Sequence, residues 1–181
     1  MRLILLTIFF NFFILLQAET INGHVLPPEP DQVINNSTLL GIDSNNNVVR
    51  DDEELDVIKR FAKDPEFPKT KTAIAMQYAW ASQKILENPT MESSKFEDDV
   101  IGCKFYWIRQ KAKTLTLTAF EAMQFGVKHK IYDSKVKDTI LNTRARIERK
   151  FEYNSALSGQ IFQGQEKTID MCQTNIDRLG E

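Results

Sequence analysis

Asp43, Asn45, Asn47, Asp51 and Glu54 set oxygen-bearing side chains at the first, third, fifth, ninth and twelfth places of the segment 43–54. A hard cation such as calcium takes about six to eight oxygen ligands, and flexible loops supply them at this spacing. In that chemistry Asp43, Asn45 and Asn47 bind early, the Val49 carbonyl binds in the middle, Asp51 acts through a water, and Glu54 closes the shell with both oxygens. No bond is made or broken; such a site stiffens the chain. The same residues admit a second reading, an Asn-rich turn whose acidic end, Asp51 to Glu54, caps the next helix and complements its dipole.

Over these twelve residues the segment resembles EF-hand and dockerin-type loops, with two departures. Val48 stands where the sharp turn normally takes glycine, and a β-branched residue in a left-handed conformation costs about 1 to 2 kcal/mol. A proline-rich stretch, not a helix, precedes the loop. The expectation is weak calcium binding, with a dissociation constant of about 0.1 to 1 mM. A wider likeness surrounds it: Asn22-Gly23, Leu26-Pro27-Pro28-Glu29-Pro30-Asp31, Ser37-Thr38-Leu39-Leu40-Gly41-Ile42-Asp43 and Arg50-Asp51-Asp52. This order resembles the N-terminal signature of a group of exported bacterial proteins. The stretch from Tyr153 to Gly159 resembles a segment late in the same group. The resemblance implies a periplasmic setting, a loop that usually carries glycine at the place of Val48, and no particular reaction.

Other chemistry is sparse. The chain has two histidines: His24 in the lead-in, and His129 within Lys128-His129-Lys130, read as a solvated helix face. Neither has a second ligand at zinc spacing, and no phosphate loop or nucleophile elbow is present. The carboxylate runs Glu97-Asp98-Asp99 and Asp64-Pro65-Glu66 read as solvated helix starts, although a pair of them could do glycosidase chemistry. Trp80, Phe105, Tyr106, Trp107, Phe120 and Phe125 read as core, with part of the surface around 105–108 free to meet a partner. Cys103 and Cys172 are the chain's two cysteines and are expected to form one disulfide, since an exported chain with an even count pairs them.

The elements that must position these groups are helical. Met1 to Ala18 reads as a signal peptide, with Arg2, an apolar run and Gln17-Ala18 at the cut. Its removal leaves a net charge of about −3, no footprint for nucleic acid and no segment for stable membrane insertion. The mature chain divides into an extended lead-in over 19–42, the calcium-type loop over 43–54 and a helical domain over 55–181. Asn35 and Asn36 both match the N-x-S/T acceptor pattern. Apolar residues three and four apart predict an all-α domain of five to six helices. The first starts near Asp51, and the second runs 70–87. A third opens on a Ser94/Glu97 capping box with the stripe Phe96, Val100, Cys103 and Trp107. A fourth opens on a Thr118/Glu121 box with the stripe Phe120, Met123, Val127 and Ile131. A long helix follows Asp133-Ser134 through Val136, Ile140, Ile147, Phe151 and Leu157, with Asn142-Thr143 a place to split it and Gly159 beyond its end. The last is placed at 166–179. The functional expectation is an exported, non-catalytic, partner-binding helical protein; the alternative is a cell-envelope hydrolase using Asp or Glu.

Overall fold

The computed structural model describes residues 19–132, 134–161, 164 and 166–181. The signal-peptide reading of 1–18 and the capping role of Asp133 fall outside those residues. Among the described residues the fold is all-α. The lead-in is less extended than expected, because it contains a short antiparallel ladder, β1 (Thr20–Ile21) with β2 (His24–Val25). It also contains a six-residue helix, α1 (Gln32–Ser37), where the Asp31 carboxylate accepts from the Val33 and Ile34 amides. The prolines end at position 30, so nothing bars a helix after Asp31.

The main helices are α2 (Asp51–Phe61), α3 (Pro68–Glu87), α4 (Ser94–Thr114), α5 (Ala119–Lys128), α6 (Ser134–Ile140) and α7 (Arg144–Ala156). α2 has four acidic residues in its first turn and Lys59 and Arg60 in its last, matching its dipole at both ends. α3 opens with Pro68, whose missing N–H costs nothing there. It lies against α2, α4 and α7, while α5 packs on α4 and α6 on α2. The central cluster comprises Val57, Ile74, Ala75, Cys103, Tyr106, Trp107, Ile131 and Ile176. A smaller cluster of Ile21, Leu26, Leu55, Ile58 and Ala62 seats the N-terminal ladder on α2.

The expected long helix is divided at Asn142-Thr143, where the Thr143 hydroxyl accepts from the Arg146 amide to start α7. The Thr118/Glu121 capping box is present as read. The Ser94/Glu97 box is not: a 3-10 turn, Met91–Ser93, runs directly into α4, Ser93 Oγ donates to Asn88 O, and Glu97 accepts from Tyr153 instead. The expected last helix is also absent. Residues 166–181 form two 3-10 turns, Ile169–Met171 and Ile176–Arg178. The Gln77 side chain accounts for part of this, donating to Met171 O and accepting from Gln173 N, backbone groups a helix would have used itself. Cys172 is joined to Cys103, with Cα atoms 4.8 Å apart, which fastens this segment to α4 as the cysteine pairing predicted. The Met171 thioether lies against the bare backbone of Gly102 beside it, so a Cβ there would make that side chain shift.

Two helix faces are turned differently from expectation. On α7 Ile147 and Phe151 are exposed, and Arg146 and Tyr153 face inward. On α5 Phe120, Met123 and Val127 are exposed, while Phe125 meets Trp107 at 5.4 Å and Gly126 lies against Ile108.

His129 is buried rather than solvated. It sits among Phe67, Trp107 and Phe125, with ring centroids at 5.2, 6.0 and 4.3 Å, and neither ring nitrogen has a hydrogen-bond partner. Burial holds its pKa below the usual 6.5; Lys71 and Lys128 act in the same direction, and Glu66 and Asp64 oppose them. The unfolded imidazole therefore takes up a proton first as pH falls. Its stabilising contribution is full above about pH 6.5 and is lost toward the lower folded value. Acidification from about pH 7.5 to 5.5 is expected to destabilise the native chain more than His129→Leu, by up to about 1.4 kcal/mol per pH unit. Unfolding midpoints with the same pH dependence in both proteins would refute a neutral buried imidazole.

Candidate functional site

Segment 43–54 is a loop folded onto the start of α2. Asp43 begins it by accepting from the Asn47 amide at 3.1 Å and the Val48 amide at 2.8 Å. Asn45 Oδ1 accepts from the same Asn47 amide at 3.1 Å, which draws the first and third positions to one donor. Asn47 Oδ1 in turn accepts from Val49 N at 2.8 Å. These side-chain turns hold Asn46 at φ 58° and Val48 at φ 75°. Val48 thus adopts the left-handed conformation that the glycine position demands, despite its branched side chain.

The loop closes on Glu54. Its Oε2 accepts from Asn45 Nδ2 at 3.0 Å and from Asn47 Nδ2 at 2.7 Å. Asp51 Oδ1 accepts from Ser44 N at 3.0 Å, and the Asp51 amide donates to Ile42 O at 2.8 Å. Asp51 is wholly buried, and its Oδ2 has no hydrogen-bond partner. Asn45, Asn47 and Glu54 are therefore joined directly, Asp43 is joined to them through the Asn47 amide, and Asp51 is joined through Ser44. Val49 is buried, and with Asn47 it lines a cleft of about 440 Å³ that also includes His24, Gln77 and Trp80. Among the described residues no three His, Cys, Asp or Glu side chains form a metal-holding group. The two asparagine N–H groups stabilise the Glu54 carboxylate by hydrogen bonds.

What anchors this loop was missed in the sequence. Arg50, wholly buried, pairs with Asp52, lies 3.0 Å from Glu53 Oε1, and donates to Thr139 O at 2.6 Å. Gly41, at φ 67°, is needed beneath it, because a Cβ would overlap the Arg50 side chain. Asn35 accepts from Ile42 N at 2.9 Å and donates to Asp52 Oδ2 at 2.9 Å, so this fully buried residue cannot carry a glycan. Arg146 donates to Leu39 O, Asn35 O, Thr38 O, Asn36 Oδ1 and Asn142 Oδ1. Burial is the main cause lowering its pKa to about 10, with Arg50 adding to it. Burial likewise pushes the Glu53 carboxyl up to about 8, against the pull of Arg50. The only local sign of this network was basic residues beside asparagines and acids, which surfaces also show.

A second concavity gathers two carboxylates. Asp99 and Asp170 line a space of about 240 Å³ with Trp80, Phe96 and Gln77. Burial and the neighbouring Asp98 raise the Asp99 pKa. Glu97 lines a separate cavity of about 120 Å³ with Tyr78, Lys137 and Lys150. Among the described residues no helix is long and apolar enough to cross a membrane. Comparison with family profiles, curated proteins and solved structures finds no match for the chain, so its site is read from its own residues.

Proposed function

We propose that the protein is an exported, non-catalytic helical domain whose loop 43–54 takes one calcium ion for structural support, and whose surface meets a partner in the cell envelope. The observation that carries the ion is Asp51, a buried carboxylate with an oxygen that nothing satisfies, one turn before the buried Glu54. Burying a carboxylate without compensation is costly, and a hard cation compensates it. Asp43, Asn45, Asn47 and Glu54 would supply side-chain oxygens, Val49 its carbonyl and Asp51 its free oxygen, and binding would have to draw together Asp43, Asp51 and Glu54, which form no metal-holding group in this structure. The ion would contribute charge neutralisation and rigidity where the lead-in joins α2, and no step of a reaction.

The test is thermal unfolding of the oxidised chain from Glu19 onward, in calcium and then in excess chelator. With calcium at about ten times its dissociation constant, a gain of about 1.4 kcal/mol is expected. Glu54→Gln should abolish the gain. Val48→Gly should stabilise the ion-free protein by about 0.5 to 1 kcal/mol by relieving the left-handed strain, and should tighten calcium binding. An unchanged midpoint in calcium leaves the loop as a capped turn and rejects the ion.

A second reading, a carboxylate hydrolase, draws on the Asp99 and Asp170 pair beside Trp80 and Phe96. Its acid would be Asp99, the carboxyl with the raised pKa. Release of sugar from cell-wall polysaccharide that is lost in both Asp99→Asn and Asp170→Asn would establish it. Release unchanged by either substitution would reject it.

A further inference from the structure

The helix α5 is anomalous for its length. None of its ten residues is buried, and three of its largest apolar side chains, Phe120, Met123 and Val127, are each more than half exposed. A helix this short is marginal alone and depends on packing its apolar side. Here Ala122, Phe125 and Gly126 are half-buried, with Phe125 against Phe67, Trp107 and His129 and Gly126 against Ile108, and the more apolar stripe is turned to solvent. Phe105 on α4 and Leu115 at the turn between the helices are each 54 % exposed. Phe105 lies one turn before Ile108, on the side of α4 that Gly126 approaches.

Charge around this hairpin is one-sided. Residues 104–130 carry Lys104, Arg109, Lys111, Lys113, Lys128 and Lys130 against a single acid, Glu121, whereas the whole chain is net −2. Glu121 is occupied in the capping box with Thr118. Some of the cations are also engaged: Lys128 with Glu66, Arg109 with Lys167 O, and Lys111 with Glu181 O. Lys104 is half-buried with its ammonium 4.7 Å over the Tyr132 ring, and burial, with repulsion from Lys130 added, lowers its pKa.

We propose that the α4–α5 hairpin is a peripheral docking face for an anionic lipid surface, with Phe120, Met123 and Val127 entering the headgroup boundary and the lysines meeting lipid charge. An apolar stripe flanked by Lys and Arg is the pattern of helices that lie in a membrane interface. Each basic residue near an anionic leaflet adds attraction that salt weakens. A second copy of this face would bring like charge against like charge and is disfavoured. This names the envelope partner of the reading above; it does not depend on the ion site.

The experiment is co-sedimentation of the chain from Glu19 onward with vesicles, in chelator so that calcium plays no part. Vesicles of phosphatidylcholine with about one quarter phosphatidylglycerol are compared with phosphatidylcholine alone. Binding is expected to the acidic vesicles only, and to fall with added salt. The double variant Lys113→Glu/Lys130→Glu should weaken it by at least about thirty-fold. Phe120→Ser/Met123→Ser/Val127→Ser should abolish it while leaving the unfolding midpoint unchanged, since these side chains are exposed. Folded protein that ignores acidic vesicles, or variants that bind as tightly as the parent, would overturn the proposal. So would retention by soluble polyglutamate without vesicle binding, which would assign the face to an acidic protein. A concentration-dependent dimer lost in the triple serine variant would likewise overturn it. A failure here leaves the calcium result standing, and a failed calcium test leaves this one standing.

Discussion

Arg146→Ala is expected to lower the unfolding free energy by about 3 to 5 kcal/mol. Arg146 is wholly buried, and its guanidinium donates to three backbone carbonyls, Asn35 O at 2.7 Å, Leu39 O at 2.9 Å and Thr38 O at 3.2 Å. Truncation would leave those acceptors dry and without donors, and would open a space in the seam between α1 and α7. Arg146→Lys keeps the charge but loses the planar fork, so it should recover only part of the loss. Urea unfolding of the three proteins gives the comparison. A loss under about 1 kcal/mol for the alanine variant would mean that water replaces the guanidinium and the network is not structural.

Removal of the disulfide by the double change Cys103→Ala/Cys172→Ala is expected to cost about 4 kcal/mol on the chain-entropy account, because the bridge closes a loop of 69 residues. The loss should also be local in its first effect. Segment 166–181 has no α-helix of its own. Apart from the bridge it is held by Ile176 in the central cluster, by the Gln77 contacts, by Tyr106 donating to Asp177 at 2.6 Å, by Glu181 accepting from the Lys69 and Thr70 amides, and by Arg109 and Lys111 donating to Lys167 O and Glu181 O. Hydrogen exchange on the double variant should therefore show this segment losing protection before α3 and α4 do. Uniform loss across the fold would show that the bridge stabilises the whole domain equally.

Arg50 couples the loop to the rest of the fold. This residue joins the end of the calcium-type segment to Asp52 at the start of α2 and to Thr139 on α6. Loosening the network through Arg146 is thus expected to weaken the proposed calcium binding as well as stability. An effect on one without the other would separate the loop from its support.

Much of the helical layout was legible, and for local reasons. The acidic start of α2, the Thr118/Glu121 box and the break at Asn142-Thr143 act within a turn of themselves. The errors share a different cause. α5 has apolar residues on two faces, and periodicity alone could not decide between Phe120, Met123 and Val127 on one side and Phe125 with Gly126 on the other. The packing of Phe125 on Phe67 and Trp107, with Ile108 close to the bare backbone of Gly126, marks the inward side. The last segment shows an apolar stripe at Ile169, Cys172, Ile176 and Leu179, and those residues do pack on the core, but its backbone groups are held by a glutamine far away in the chain.

The sequence by itself determined the all-α class, the pairing of Cys103 with Cys172, and the oxygen spacing from Asp43 to Glu54, because each depends on residue type or on neighbours a few places apart. Tertiary structure alone decided that Arg50, Arg146 and His129 are buried, that Asp51 keeps an oxygen unsatisfied, and that α5 faces its apolar stripe outward. A polar residue is buried or exposed according to partners contributed by distant segments, and nothing in its own stretch of chain records which partners will arrive.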